Sequence, residues 1–183
     1  MKKLLLHSCC APCTSGVLPQ IEGYNITLLF YNPNIDTIEE YNKRLDALYS
    51  FVEQYEKDSG NKYEIVAIPY NHEEFTNITK GMESIPEGGS RCEICIDMRL
   101  SFTAKYALEH KYDIFASTLS VSPHKNHELI NKIGTRLEEK LGIEYMPSNF
   151  KKHNGFLMSI QNSKKYGIYR QRYCGCTPPI DIQ

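Results

Sequence analysis

The sequence lacks the features that mark several common classes of protein. No apolar run approaches the roughly 20 residues that a membrane-spanning helix needs, so we expect no membrane partner. Neither a G-x-x-x-x-G-K-[ST] loop nor a G-x-G-x-x-G motif occurs, which removes the usual support for nucleotide-cofactor binding. The formal net charge is only -1. Any nucleic-acid partner must therefore be recognised by a local basic patch rather than by overall charge.

Cysteine, in contrast, is abundant, with 7 residues in a chain of 183. The apolar run near the start of the chain ends at His7, too early for a signal peptide, so we predict a buried first strand and a cytoplasmic location. Thiols stay reduced in that compartment, and grouped cysteines there indicate metal binding or redox chemistry rather than structural disulfides. The odd number of cysteines agrees, because they cannot all pair.

Short apolar segments alternate with helical patterns, which predicts an α/β fold with a mainly parallel sheet and flanking helices. The predicted strands are residues 4–8, 26–31, 63–69 and 113–118. Helices are predicted from Asp36, capped with Glu39 and ended by Gly60, and over residues 91–110 and 125–140. We expect a single catalytic domain over residues 1–183, in which a basic and aromatic segment, residues 150–176, closes a metal site.

The cysteines form three groups along the chain, namely Cys9, Cys10 and Cys13, then Cys92 and Cys95, then Cys174 and Cys176. The first group follows the first predicted strand, at the edge of a parallel sheet where binding crevices form. The second group opens a predicted helix, where its two thiols share one face and the positive helix end favours their thiolate forms. This placement predicts that the first two groups meet at one metal centre.

The spacing of these thiols leaves two kinds of metal site open. Soft thiolates select zinc, copper(I) or iron–sulfur clusters, and two pairs of cysteines suit a tetrahedral zinc ion. Adjacent residues such as Cys9 and Cys10 rarely both reach one small ion, whereas a cluster presents several iron corners. We therefore favour a four-iron cluster and keep zinc as the alternative.

The third cysteine group is a separate unit near the C-terminus. Gly175 allows the tight backbone that would bring the sulfurs of Cys174 and Cys176 together, as a redox-active disulfide or as ligands of a second metal. Cys13 either joins the metal site or is simply buried. Asp97, two residues after Cys95, is a candidate metal ligand or proton donor, although such a residue is usually a surface charge.

A local basic patch does occur, because residues 150–173 contain no Asp or Glu. Lysines and arginines would contact phosphate, and the interleaved rings would stack on unpaired bases. The candidate contacts in this segment are Lys151, Lys152, Lys164, Lys165, Arg170, Arg172 and Tyr169. A solvated helix face is the alternative interpretation.

Three further polar residues lie at predicted strand or helix ends. His124 and Lys125 stand where a helix is predicted to start, so contacts to phosphate or substrate are candidates there, with a solvated cap as the alternative. His7 interrupts the first strand, where a hydrogen-bonded core histidine is favoured over a metal ligand.

Four motifs together resemble the QueH-type epoxyqueuosine reductases. They are HSCCAPC at residues 7–13, YNPNI at 31–35, RCEICIDMRL at 91–100 and YRQRYCGC at 169–176, with STLSVSPHKN at 117–126 between them. Each motif is weak alone, but their order along nearly the whole chain is specific. The layout also looks like the adenine-nucleotide hydrolase and PP-loop (HUP-like) group, with HSCCAPC in place of its phosphate loop.

The resemblance implies an oxidoreductase that deoxygenates epoxyqueuosine to queuosine at the tRNA wobble position. It also implies that a [4Fe-4S] cluster is held by Cys9, Cys10, Cys92 and Cys95, with Cys174 and Cys176 as the neighbouring second redox element. That element is either a disulfide or an adjacent mononuclear iron, and an iron would recruit Cys13 or Asp97. The partners implied are tRNA and an unidentified electron donor.

Two other functions remain open from the sequence. One is an iron–sulfur enzyme of tRNA thiolation or desulfuration, which would act on thiolated or unmodified uridine. The other is a zinc-stabilised RNA-binding module without catalysis. A brown protein after anaerobic purification would indicate a cluster, whereas a zinc protein would be colourless.

Overall fold

The computed structural model of the chain describes residues 1–176 and is built on a parallel β-sheet. Its five strands are β1 (Lys2–His7), β2 (Tyr24–Phe30), β3 (Glu64–Ala67), β4 (Ile114–Ser117) and β5 (Glu144–Tyr145). They lie in the order β3-β2-β1-β4-β5, and every neighbouring pair is parallel. The predicted α/β fold with a parallel sheet is confirmed, and β5 is an additional short strand.

Six α-helices flank the sheet within the described part of the chain. They are α1 (Ala11–Val17), α2 (Ile38–Ser59), α3 (His72–Ile78), α4 (Ser90–Glu109), α5 (His127–Leu141) and α6 (Gly155–Lys165). The predicted helices correspond to α2, α4 and α5, whereas α3 and α6 were not predicted.

Helix α2 begins differently from the prediction. Its cap is Thr37, whose hydroxyl accepts a hydrogen bond from the Glu40 amide, so the predicted cap at Asp36 is wrong by one residue. Ile38 is 42% exposed and therefore lies outside the buried stripe of this helix. The predicted end is confirmed, because Gly60 adopts a left-handed conformation with φ 72°. Glycine reaches that region without steric cost.

The core occupies both faces of the sheet. Leu4, Leu5 and Leu6 in the central strand β1 are all fully buried, as expected for a parallel strand covered on two sides. Leu4 and Leu6 pack with α1 and α2, and Leu5 packs with α4 and α5. The strand is therefore fixed on both faces, and the residues that follow it are held in place.

Helices α1 and α6 approach each other closely through glycine. A Cβ atom built on Gly16 would lie 2.2 Å from the carbonyl oxygen of Gly155, closer than any real carbon contact. The Asn162 side-chain amide adds a hydrogen bond to the Ser15 carbonyl at 2.8 Å. This contact places α6 and the segment after it beside the first cysteine group.

No helix in residues 1–176 is long and apolar enough to cross a membrane.

Candidate metal centre and substrate cavity

The first cysteine group lies directly after the central strand β1 and forms a cluster of three sulfurs. The Sγ atoms of Cys9, Cys10 and Cys13 all lie within 4.8 Å of one another. Cys10 caps α1, where its sulfur accepts a hydrogen bond from the Cys13 amide at 3.5 Å. This is the one group of three or more possible metal ligands within residues 1–176. Cys13, left undecided by its spacing, therefore lies with its two neighbours.

Hydrogen bonds give the three thiols of this group different acidities. Hydrogen bonding with the thiols of Cys10 and Cys13, and donation from the Thr118 hydroxyl, hold the pKa of Cys9 well below its ordinary value although burial opposes the shift. Hydrogen bonding with Cys13 lowers the pKa of Cys10, but hydrogen bonding with Cys9 and burial outweigh it and raise that pKa to about 12. Hydrogen bonding with Cys10 and Cys9, together with burial, raises the pKa of Cys13. One thiolate is thus stabilised before any metal binds.

The second group lies in the first two turns of α4. The Gly88 amide donates a hydrogen bond to the Cys92 sulfur at 3.2 Å. Cys95 is buried, and burial raises the pKa of its thiol. Its charged form interacts with Arg99, Cys174, Lys125 and Cys92. The structure therefore brings the second and third cysteine groups into electrostatic contact.

The third group is held as a close pair of sulfurs. The Sγ atoms of Cys174 and Cys176 lie 3.5 Å apart, against the roughly 2.05 Å of a disulfide bond. A hydrogen bond from Cys176 lowers the pKa of Cys174 to about 5, burial opposes this shift, and the charge of Lys125 assists it. The first and third groups thus each contain one cysteine with a lowered pKa, namely Cys9 and Cys174.

A buried arginine on α2 fixes the backbone that carries this pair. Arg44 donates hydrogen bonds to the carbonyl oxygens of Cys174 at 2.9 Å and Tyr173 at 3.1 Å, while its Nε pairs with Glu40 at 2.7 Å. Gly175 has φ 130°, and a Cβ atom there would lie 3.0 Å from the Asn34 side chain. The YNPNI loop and α2 therefore hold the backbone of Cys174 and Cys176 in position.

Arg99 is the least expected residue of the site. It is 3% exposed, and its Nε donates a hydrogen bond to the Cys95 carbonyl at 3.3 Å. Its charge interacts with the thiols of Cys9, Cys95, Cys174 and Cys176, which belong to all three groups. The sequence signal was its position one helical turn after Cys95, where it shares a face with that cysteine.

A cavity of about 420 Å³ opens beside the sulfurs. Cys10, Cys13 and Cys174 line one part of it, and Phe156 and Tyr173 supply aromatic surface. The polar residues of its lining are Glu87, Ser122, His124, Lys125, Ser159, Arg170, Gln171 and Arg172. A second cavity, of about 40 Å³, is lined by Cys92, Cys174 and Cys176. Cys174 belongs to both cavities.

Lys125 occupies an unexpected position for a predicted phosphate contact. Its side chain is 10% exposed, and Nζ lies 3.5 Å from the Glu87 carboxylate. Its charge interacts with the sulfurs of Cys174 and Cys92. The ammonium group therefore points into the cavity, towards the cysteines.

The basic residues predicted to contact tRNA divide into two sets. His124, Lys125, Arg170 and Arg172 line the large cavity. The remaining predicted contacts do not line this cavity. Lys151 donates to the Lys125 carbonyl, and Lys165 pairs with Asp58. Tyr169 donates to Glu40, and Lys152 and Lys164 are exposed. Contact of either set with tRNA stays a prediction.

The hydrogen bonds of Asp97 and His7 go to groups other than the cysteines. Asp97 accepts hydrogen bonds from Arg136 at 2.7 Å and Ser101 at 2.9 Å, and a catalytic role for it stays a prediction. His7 is fully buried between Ser117 and the Tyr31 carbonyl, with its pKa lowered to about 4 chiefly by burial. The interpretation of His7 as a hydrogen-bonded core residue is confirmed.

Comparisons with known proteins place this site in a family context. Residues 4–178 match the family model described as epoxyqueuosine reductase QueH. A protein of that name from Streptococcus pyogenes is 40% identical to this chain over 181 residues, and one from Thermotoga maritima is 34% identical to it over 176 residues. These alignments cover 98% and 96% of the chain, and 71% and 89% of the two relatives.

A solved structure shares the fold at low sequence identity. It is a U34-tRNA thiolase, NcsA, from Methanococcus maripaludis with its [4Fe-4S] cluster. The TM-score is 0.52 and the identity is 15%, over 96% of this chain. The alignment covers 61% of the thiolase chain, and at this level of identity the comparison concerns the shared fold alone.

Proposed function

Because the chain belongs to the QueH family of epoxyqueuosine reductases, we propose that it deoxygenates epoxyqueuosine in tRNA with an iron–sulfur cluster and an adjacent redox-active cysteine pair. The observation that carries this proposal is that cysteines of all three groups interact with one buried arginine, beside two cavities that share Cys174. An oxidoreductase of this kind needs its redox groups beside the substrate cavity.

The cluster would be held by Cys9, Cys10, Cys92 and Cys95. Support comes from the chemistry of the donors, since cysteine thiolates are the ligands that iron–sulfur clusters take, and the pKa of Cys9 is already lowered. Arg99 interacts with Cys9 of the first group and Cys95 of the second, which links the two groups. When bound, a [4Fe-4S] cluster supplies electrons one at a time.

Cys174 and Cys176 would form the second redox element. Their oxidation to a disulfide releases two electrons and two protons. Conversion of an epoxide to an alkene takes up two electrons and two protons and expels water, so the two half-reactions balance. Support comes from the 3.5 Å separation of the sulfurs and from the depressed pKa of Cys174. The unidentified electron donor would then reduce the disulfide again.

The substrate would enter the cavity of about 420 Å³. Phe156, which is 38% exposed, offers a ring on which the modified base could stack. Arg170, Arg172 and Lys125 line the cavity. In this proposal the two arginines would contact phosphate, and Lys125 would donate a proton to the epoxide oxygen. Residues 150–176 would thus close the site over the tRNA.

Anaerobic turnover of tRNA that carries epoxyqueuosine tests this function. After loading with iron and sulfide, the protein should be brown and should form queuosine, measured by mass spectrometry of the digested nucleosides. A Cys174→Ser, Cys176→Ser double variant should stay brown and form none. Formation of no queuosine by the loaded wild-type protein would refute the proposal.

A further inference from the structure

Arg99 carries a permanent charge in the interior of the protein. It lies on α4, is 3% exposed, and lines neither of the cavities that the cysteines share. Buried arginines are normally paired with a carboxylate, because an isolated charge is costly to remove from water. Within residues 1–176 no carboxylate forms an ion pair with Arg99.

The groups that face Arg99 are almost all sulfur. They are Cys95 on its own helix, Cys9 after β1, and Cys174 and Cys176 on the C-terminal segment. His7 on β1 also interacts with Arg99, but an imidazole carries no negative charge and cannot compensate the arginine. Lys125 is a second cation that interacts with Cys174. The compensating negative charge must therefore come from thiolates.

We propose that Arg99 is a positioning residue whose charge stabilises the anionic sulfur-ligated centre and raises its reduction potential. This inference rests on the proposed function, because it requires a centre at these cysteines. Adding an electron makes such a centre more negative, and a fixed positive charge in a low-dielectric interior favours that state. Net charge and hydrogen bonding are established determinants of cluster potential.

Lys125 cannot replace Arg99 in this role. Lys125 reaches the sulfurs from the cavity side, where Glu87 offsets its charge and a bound substrate would contact it. Arg99 lies away from the cavity and is fixed by the Cys95 carbonyl. Its effect should therefore appear in the potential of the centre and in kcat, with little change in KM.

The test compares Arg99→Met, Arg99→Lys and a control, Lys105→Met. Lys105 is exposed on the same helix, so the control removes one positive charge at a distance from the sulfurs. Each protein is loaded anaerobically with iron and sulfide, and its midpoint potential is measured by redox titration followed by electron paramagnetic resonance. Arg99→Met should titrate at a lower potential than wild type, whereas Arg99→Lys and Lys105→Met should stay close to wild type.

Iron content keeps the test decisive if a variant loads poorly. Loss of iron in Arg99→Met with retention in Arg99→Lys would support the role of the charge. Loss of iron in both variants would show that the shape of arginine matters instead and would overturn the inference. An unchanged potential in loaded Arg99→Met would also overturn it while leaving the proposed function intact. A wild-type protein that takes up no iron would defeat both.

Discussion

At the scale of single residues, the pKa values of two adjacent cysteines are shifted in opposite directions. The pKa of Cys9 is lowered and that of Cys10 is raised, because the hydrogen bonding between the two sulfurs shifts their pKa values in opposite directions. Thr118, which directly follows β4, donates a further hydrogen bond to the Cys9 sulfur. The spacing of the cysteines could predict a metal site, but it could not predict these acidities, which depend on residues 109 positions away.

Thr118 makes two hydrogen bonds with Cys9, and its removal should be measurable. The hydroxyl accepts from the Cys9 amide at 3.1 Å and donates to the Cys9 sulfur at 3.3 Å. Thr118→Val keeps the shape and leaves a buried amide unpaired, so we expect a loss of about 1–3 kcal/mol in the free energy of unfolding. Urea denaturation of the metal-free protein measures it. Thr135→Val, at an exposed site, is the control. An equal loss in the free energy of unfolding of the two variants would contradict the account.

The position of Cys13 gives a second prediction at this scale. Its sulfur lies with those of Cys9 and Cys10, yet Cys92 and Cys95 are the other proposed cluster ligands. Cys92→Ser should therefore lower the iron bound per protein after anaerobic loading, and Cys13→Ser should retain it. The opposite result would move Cys13 into the ligand set and Cys92 out of it.

At the scale of elements, long helices and core strands were predictable and short elements were not. Helices α2 and α5 end at glycines with positive φ, which the sequence signals directly. Strand β5 has two residues, too few for a hydrophobic pattern. Helix α6 follows Asn154 in a left-handed conformation without a side-chain cap, so its start carries no ordinary signal. Its position depends on the glycine contact with α1.

The close approach of α1 and α6 leads to a third prediction. In Gly16→Ala the new methyl group would lie 2.2 Å from the Gly155 carbonyl oxygen. Overpacking of this kind costs about 1–3 kcal/mol, and the displaced α6 should also reduce turnover because it carries Phe156. Thermal unfolding and turnover are the measurements. Gly23→Ala is the control: alanine is strained at its φ of 81° and should also lower stability, but the methyl group has nothing within 4 Å and should leave turnover unchanged.

The contact between α5 and β5 gives a prediction for alkaline pH. Tyr145 is buried, its hydroxyl donates to the side-chain oxygen Oδ1 of Asn131 at 3.0 Å, and burial raises its pKa. The unfolded chain ionises this phenol near pH 10 while the folded chain keeps the proton. Stability should therefore fall as pH rises above about 10.

Tyr145→Phe isolates that contribution. The variant should be less stable by about 1 kcal/mol at pH 8, where one hydrogen bond is lost. It should then lose stability more slowly than wild type above pH 10. Urea denaturation across this pH range gives the comparison. Parallel curves for the two proteins would show that Tyr145 does not titrate as described.

At the scale of the whole molecule, three distant segments assemble one site. The first cysteine group follows the central strand, the second opens α4, and the third is fixed to α2 by Arg44. The order of the motifs allowed the family to be recognised from the sequence. The sequence could not reveal Arg99 as their common neighbour, because that role depends on contacts between parts of the chain that are far apart.

The central claim is that Cys174 and Cys176 supply the electron pair that the epoxide receives. A single-turnover experiment tests it directly: the protein is loaded with iron and sulfide, reduced, freed of excess reductant and mixed anaerobically with tRNA carrying epoxyqueuosine. The account predicts about one queuosine per protein and a matching amount of Cys174–Cys176 disulfide, detected by peptide mass spectrometry after alkylation. Queuosine formed while both cysteines remain fully alkylatable would contradict it.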